Sequence, residues 1–344
     1  MKAETNINTK VTIISPTYNH GSFIADCIRS AQSQTFTNWE MIVIDDGSKD
    51  STPDIVTQFA AEDSRIRLIR QENVGIFRLS ETYNRALEMS TGEYITILEG
   101  DDYWAADKLE RQVAALESNQ KAVLCWSQAY SVVEGSTESR EIYPVAGSVE
   151  EKYFHNDPPG SILNVFLFRN CIPALTIMTR KEILVRLGGF RQNCGLPLVD
   201  LPTLYELALQ GSFLFIPVPL GFWRNYPTQI TKTYTAKMME GCRCLARSYF
   251  DRAVQTGMLE HTLTRKKLER FYDEQLIVSY SRSGRYKLIR REFAGARKDY
   301  LRSIFRYGYH QPLWKLRSVT GLVFSLFRLD VEGLSRLLGK KSYK

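Results

Sequence analysis

Histidine is scarce in this sequence, with 4 among 344 residues, and no two of them stand at metal-ligand spacing. Zinc hydrolase chemistry is therefore not expected. The six cysteines (Cys27, Cys125, Cys171, Cys194, Cys242 and Cys244) form no CxxC pair, and the Cys242-x-Cys244 spacing is not that of a zinc finger. The expectation is six reduced thiols. No GxGxxG follows a strand, which disfavours a dinucleotide oxidoreductase, and no P-loop of the kinase type is present. The first ten residues, MKAETNINTK, are polar and carry no apolar signal core. No run reaches the ~18–20 apolar residues that span a bilayer. The nearest, Val319 to Phe327, is too short and ends at Arg328. The cytoplasm is the default compartment on these grounds. Internal repeats and low-complexity segments are also lacking.

What is present is a chain 44% hydrophobic with a net charge of +7, a pI of about 9.0 and a mean hydropathy of -0.26. This composition supports a buried core in one large or two modest domains. The basic excess falls late, in Arg265-Lys266-Lys267, Arg290-Arg291, Arg297-Lys298 and Lys340-Lys341. Such clusters are either a solvated helical surface or attraction to an anionic membrane or nucleic acid.

Along the chain, strand and helix signals alternate. Strands are expected at Val11–Ser15, Glu40–Asp45, Ile66–Arg70 and Tyr94–Leu98, with a fifth inside Ala122–Val133. Between them, helical spacing marks Phe23–Ser33, Leu79–Met89 and Asp107–Glu117; another helix starts at Ser51-Thr52-Pro53, a hydroxyl cap followed by proline. This order implies an α/β fold with a mainly parallel sheet and helices on both faces. Residues Gly135 to Pro159 are polar and rich in turn formers, and read as a long surface excursion. Strand patterns resume at Thr176–Thr179 and Phe213–Val218, and helical ones at Ile183–Leu187 and Leu201–Leu209. From about Tyr234 the pattern is helical and basic.

In open α/β sheets ligands bind beyond the carboxyl ends of the strands. There the sequence places Pro16-Thr17-Tyr18-Asn19 after strand one, Asp45-Asp46-Gly47-Ser48 after strand two and Glu99-Gly100-Asp101-Asp102 after strand four. Two acidic clusters on one sheet edge would repel unless a cation or a donor-rich ligand met them. Glu99 and Asp101 suit Mg²⁺ or Mn²⁺, with Gly100 turning the backbone tightly between them. Each element also has a plainer reading: acidic loops are often solvated turns, Asp-Gly-Ser is turn and cap chemistry, and Tyr18 can simply pack. Tyr18 can equally stack on a nucleobase, with Asp46 accepting hydrogen bonds from base or ribose. Asp200 follows the apolar stretch Gly195–Val199 near a helix start. Desolvation there would raise its pKa and suit it to general-base work, whereas a helix cap is the structural alternative.

These strings together resemble family 2 glycosyltransferases. The likeness runs through VTIISPTYNHGSFIADCIRSAQSQTFTNWEMIVIDDGSKDST and STGEYITILEGDDYWAADKLE, then Gly188-Gly189-Phe190, VDLPTLYELALQG and Pro219-Leu220-Gly221-Phe222-Trp223-Arg224. It spans roughly the first two thirds of the chain in the family's order. The resemblance implies a GT-A fold. A catalytic domain over residues 1–230 would hold a nucleotide-sugar half near 8–133 and an acceptor half over 134–230, followed by a helical, basic region over 231–344. It implies that Pro16, Thr17 and Tyr18 line the base pocket and that Asp46 holds the base, often uracil. Glu99 and Asp101 fill the Asp-x-Asp places, Gly100 lies between them, and Asp101 contacts Mn²⁺ or Mg²⁺. Asp102 and Arg224 face sugar or acceptor, and Asp200 is the catalytic base. Departures are Glu99 for the first Asp, Val199 for the Glu that commonly precedes the base, Tyr226 where a His often follows the Arg, and a longer Gly75–Asn84 segment.

The implied reaction is an inverting transfer from a nucleotide-sugar, a UDP-sugar by preference, to a hydroxyl of a glycan or lipid-linked acceptor in cell-surface polysaccharide synthesis. No nucleic acid partner is implied. A nucleotidyltransferase is a rival, although PTYNHG lacks its basic phosphate loop; a degenerate transferase serving as a membrane-associated scaffold is another. In the tail, apolar residues of Leu313–Leu338 are interspersed with Lys315, Arg317 and Arg328. They read either as a helix docked on its own domain or as peripheral contact with an anionic membrane surface on the inner face.

Overall fold

The computed structural model describes residues 11–133, 140–145, 147–226 and 229–329. Its chain order is β1 (Val11–Thr17), α1 (Ile24–Gln32), β2 (Trp39–Asp45), α2 (Thr52–Glu62), β3 (Ile66–Arg70), α3 (Leu79–Met89), β4 (Tyr94–Ile97), β5 (Tyr103–Trp104), α4 (Lys108–Ser118), β6 (Ala122–Val133) and β7 (Arg140–Tyr143). It continues with α5 (Leu163–Phe166), β8 (Met178–Arg180), α6 (Lys181–Arg186), α7 (Asp200–Ala208), β9 (Ser212–Asn225) and α8 (Ile230–Thr233). Four longer helices follow: α9 (Thr235–Gln255), α10 (Arg265–Ile289), α11 (Phe293–Phe305) and α12 (Pro312–Leu326).

The strands join in one sheet of order β3-β2-β1-β4-β8-β6-β9-β5, with β7 beside β6. The first four are parallel to one another. β8 then runs antiparallel to β4 and β6, β9 runs parallel to β6, and β5 closes the edge antiparallel to β9. β1 and β2 are buried along their whole length, as strands covered on both faces must be. Their alternation feeds two cores. Val11, Ile13, Met41 and Val43 pack with α1, α2 and α4; Ile14, Ile42 and Ile44 pack with Tyr83, Ala86 and Leu87 of α3 and with Phe190. This is the α/β sheet with helices on both faces that the sequence pattern predicts, continued by a mixed second half.

Several local expectations are corrected. β1 runs through Pro16 to Thr17 rather than stopping before the proline. At the start of α2 Ser51 makes no capping bond; the Asp50 carboxylate accepts from the Thr52 amide at 3.0 Å and hydroxyl at 2.6 Å instead. The polar stretch expected as a surface excursion, outside residues 134–139 and 146, is partly core. β7 pairs with β6, Phe154 packs on Trp126 and Phe215, and Asn156 is fully buried. Its amide donates to the carbonyls of Ala208 and Gly211 and accepts from the amides of Gly160 and Ile162. A fully satisfied amide costs little to bury, and polarity alone therefore mistook a plug for a loop.

The chain divides into two compact units, residues 1–192 with 198–225 and 252–259, and residues 193–197 with 226–251 and 260–344. In the second, Cys194 and Cys244 are joined by a disulfide across 50 residues of sequence. The expectation of six reduced thiols fails at this pair, because spacing along the chain says nothing about which cysteines folding brings together. Cys27, Cys125, Cys171 and Cys242 are free. The helices of this unit pack through Leu276, Ile277, Tyr280 and Tyr307 and through Leu288, Ala296 and Tyr300. Among the described residues no helix is long and apolar enough to cross a membrane.

Candidate active site at the carboxyl edge of the sheet

Because β2, β1 and β4 are parallel neighbours, their carboxyl ends and the loops that follow lie side by side. The Asp46 amide donates to the Thr17 carbonyl at 2.9 Å and the Gly100 amide to the Pro16 carbonyl at 3.2 Å. The loops are knitted further by the Asn19 amide on the Ser48 hydroxyl and the Lys49 amide on the Asn19 side chain, both at 2.8 Å. The sequence assigns Gly100 to a tight turn, but its reason is close approach. A Cβ there would stand 2.5 Å from the Thr17 hydroxyl and 2.8 Å from His20 Nδ1. The ring of Tyr18 is half exposed at this rim.

Asp46 is buried, and three protein donors already meet its carboxylate: the Gln71 side-chain amide and the Val74 amide at 2.8 and 2.9 Å, and the Gly75 amide at 3.2 Å. It therefore fixes the segment after β3 that flanks this edge. The sequence offers Asp46 as a turn residue or as an acceptor from base or ribose, and these long-range partners carry no local signal in it.

Glu99, Asp101 and Asp102 offer carboxylate oxygens within 4.8 Å of one another. Burial, then the charge of Asp101, pushes Glu99 up to about 8 from 4.5; the Tyr83 hydroxyl opposes the rise and Asp200 adds to it. That hydroxyl donates to Glu99 at 2.8 Å. Asp102 is raised well above the usual carboxylate range by burial and by its two acidic neighbours. Its Oδ1 accepts the backbone amide of Arg224 at 2.9 Å. Arg224 acts as a clasp: its guanidinium donates to the Asp101 carbonyl at 3.1 Å and to Asp26 at 2.7 Å, and lies over the Tyr103 and Phe23 rings. Asp102 and Arg224 thus hold the loop after β4 against β9. The remaining carboxylates, Glu99 and Asp101, are hard oxygen donors whose mutual repulsion a divalent cation would relieve, and the set fits Mg²⁺ or Mn²⁺.

Asp200 is the first residue of α7, and Val199 holds the cap position without a side-chain bond. Asp200 is thus not the N-cap residue itself, although its carboxylate meets the Leu201 amide in the first turn. Asp200 borders an apolar cavity walled by Ile97, Ile177, Phe190 and Leu204. Burial raises its pKa, opposed by the Leu201 amide and by Asn170, whose side chain donates to Asp200 at 2.9 Å. The charge of Asp200 is felt by Glu99 and Tyr83, and so the base candidate and the acidic cluster share one electrostatic site. Asn170 and Tyr83 escaped the sequence reading: each stands far along the chain from the carboxylate it serves, with no local motif to mark it.

A parallel half, a mixed continuation and an acidic loop after the fourth strand are the features of a GT-A type fold. Residues 12–179 match the sequence model of Glycosyl transferase family 2, and this part of the chain belongs to that family. TuaG of Bacillus subtilis, a glycosyltransferase assigned to teichuronic acid biosynthesis, is 32% identical over 52% of this chain and 65% of its own length. WfgD of Escherichia coli, a UDP-Glc:alpha-D-GlcNAc-diphosphoundecaprenol beta-1,3-glucosyltransferase, is 39% identical over 32% of this chain and 42% of its own length. The chain thus covers less than two thirds of these relatives. Among solved structures, S. aureus TarS 1-349 in complex with UDP-GlcNAc aligns with 98% of this chain and 93% of its own at a TM-score of 0.54 and 15% identity. The mannosyltransferase PcManGT from Pyrobaculum calidifontis, in complex with GDP-Man and Mn2+, covers 96% of this chain and 88% of its own with a TM-score of 0.54 and 17% identity. Both likenesses speak for the fold.

Proposed function

We propose that this chain is an inverting, metal-dependent glycosyltransferase that moves a sugar from a nucleotide-sugar to a hydroxyl of a glycan or lipid-linked acceptor. The observation that carries the reading is the cluster of Glu99, Asp101 and Asp102 within 4.8 Å, electrostatically joined to a buried Asp200. Asp200 accepts the proton of the acceptor hydroxyl as its oxygen bonds to the anomeric carbon. The bond to the donor diphosphate breaks on the opposite face, and configuration inverts. Asn170 holds the Asp200 carboxylate in orientation. Asp101, with Glu99 beside it, would hold Mn²⁺ or Mg²⁺, and when bound this ion supplies neutralising charge for the diphosphate leaving group. Pro16, Thr17, Tyr18 and Gly100 line the nucleotide side, with Asp46 both facing the base and fixing the segment after β3. Asp102 and Arg224 shape the sugar and acceptor side.

A UDP-sugar is our preferred donor, supported by TarS in complex with UDP-GlcNAc and by the name of WfgD. The names of TuaG and WfgD support an acceptor in polysaccharide synthesis. The donor class favours a cytoplasmic site of action, against which the Cys194–Cys244 bond weighs. The test is donor turnover with UDP-, GDP- and dTDP-sugars in Mn²⁺, read as nucleoside diphosphate release. Asp101→Ala is expected to abolish turnover without lowering Tm. Full turnover after EDTA treatment overturns the metal role, and no turnover of any donor by the intact chain would favour a non-catalytic scaffold.

A further inference from the structure

Helix α12 is packed in reverse of the usual rule. Its buried side is Ser318, Gly321 and Ser325, with Gly321 so close to Tyr300 that a Cβ would lie 2.3 Å from the ring. Trp314, Leu322 and Phe324 are half-buried against the neighbouring helices, but the other large apolar residues face outward: Leu313 is 75% exposed, Leu316 63% and Phe327 just beyond the helix 73%, with Val319, Val323 and Leu326 also exposed. They recur at three- and four-residue steps and so form one stripe opposite the small residues. The segment leading into the helix exposes Phe305 and Tyr309 as well. A contiguous apolar face of this kind marks an interaction surface.

Charge decides among occupants. From Tyr300 to Leu329 the sequence contains no Asp or Glu, while Arg306, Arg317 and Arg328 lie among the exposed residues. A second copy docking on the same face by two-fold symmetry would bring these cations together. An anionic lipid surface satisfies both features: the apolar stripe enters the acyl boundary and the arginines meet headgroup phosphates. We propose that the outward face of α12 is a peripheral docking surface for anionic membrane lipid. This goes beyond the transferase reading and does not depend on it, since binding is measured without any sugar nucleotide.

The test is co-sedimentation of the full chain with phosphatidylcholine vesicles, with and without phosphatidylglycerol, at low and raised salt. The chain is expected to sediment with the anionic vesicles at low salt and to be released as salt rises. The Leu316→Glu/Val323→Glu double variant should lose binding at least about tenfold while keeping the wild-type Tm, because both positions are exposed. Arg317→Gln/Arg328→Gln should lose about fivefold per residue and flatten the salt dependence. No binding of the wild type at low salt overturns the proposal, as does equal binding to neutral vesicles or binding unchanged in both variants. So does a wild-type dimer by light scattering that Leu316→Glu/Val323→Glu converts to monomer with lipid binding unaltered, since a second copy then covers the face.

Discussion

The edge of the sheet and the outer face of α12 break the inside–outside rule in opposite directions. At the sheet edge, Asp102 and Asp46 are nearly inaccessible to solvent and Glu99 is held near a pKa of 8. On α12, serines and a glycine are inside, and leucines and a phenylalanine are outside. Each departure costs free energy in the isolated chain: the first by repulsion and desolvation of carboxylates, the second by apolar surface left in water. Each is therefore a place where a partner of opposite character is called for, a cation and polar substrate in one case and an apolar, anionic surface in the other. Between β1, β2 and their helices the buried polar groups are answered within the chain, as where the Thr12 hydroxyl donates to Glu40 at 2.8 Å, and there the pattern of the sequence is also the pattern of the fold.

The comparison breaks most sharply at Asp200. Replacing it with Asn is expected to lower turnover at least ~10²-fold, the usual scale for loss of a general base, with donor affinity unchanged by calorimetry. Turnover within a few-fold of wild type would leave Asp200 a structural acid only. In the other region, Gly321→Ala should destabilise by about 1–3 kcal/mol through overlap with the Tyr300 ring, read by urea unfolding. That is the net cost, after the roughly 1 kcal/mol an Ala gains over Gly in a helix. Unchanged stability would mean that the small-residue face is not tightly packed.

A pH experiment sharpens the acidic side. The folded Glu99 carboxyl is raised to about 8 from its ordinary 4.5. The neutral acid is therefore the form that folding favours. Its stabilisation is fully present below pH 4.5 and is lost as pH rises through about 8. In metal-free buffer the Tm difference between wild type and Glu99→Gln should accordingly shift against the wild type across that window. Mn²⁺ should raise the wild-type Tm most near the upper end, since bound cation stabilises the folded state. A difference flat in pH, with and without Mn²⁺, would remove Glu99 from the cluster. The smallest effect is expected for Leu316→Ser, within about 0.5 kcal/mol of wild type, because its side chain is already in water. A loss of ~2 kcal/mol or more would show Leu316 to be packed in solution and would dissolve the contrast between the two regions.

The sequence by itself determined the order of strands and helices in the first half, the two-residue β5 apart, and the acidic and hydroxyl residues after strands one, two and four. It could do so because those features are local. Burial on both faces writes continuous apolar runs into β1 and β2, and turn chemistry places Asp45-Asp46-Gly47-Ser48 and Glu99-Gly100-Asp101-Asp102 at known distances from strand ends. Only the tertiary structure decided which groups meet across the chain: Tyr83 with Glu99, Asn170 with Asp200, Arg224 with Asp26 and the loop after β4, and Cys194 with Cys244. It also decided that Asn156 is a core plug and that α12 turns its serines inward. A helical period tells which residues share a face, but which face is buried depends on the neighbour it meets, and here Tyr300 leaves room at Gly321 for nothing larger than hydrogen.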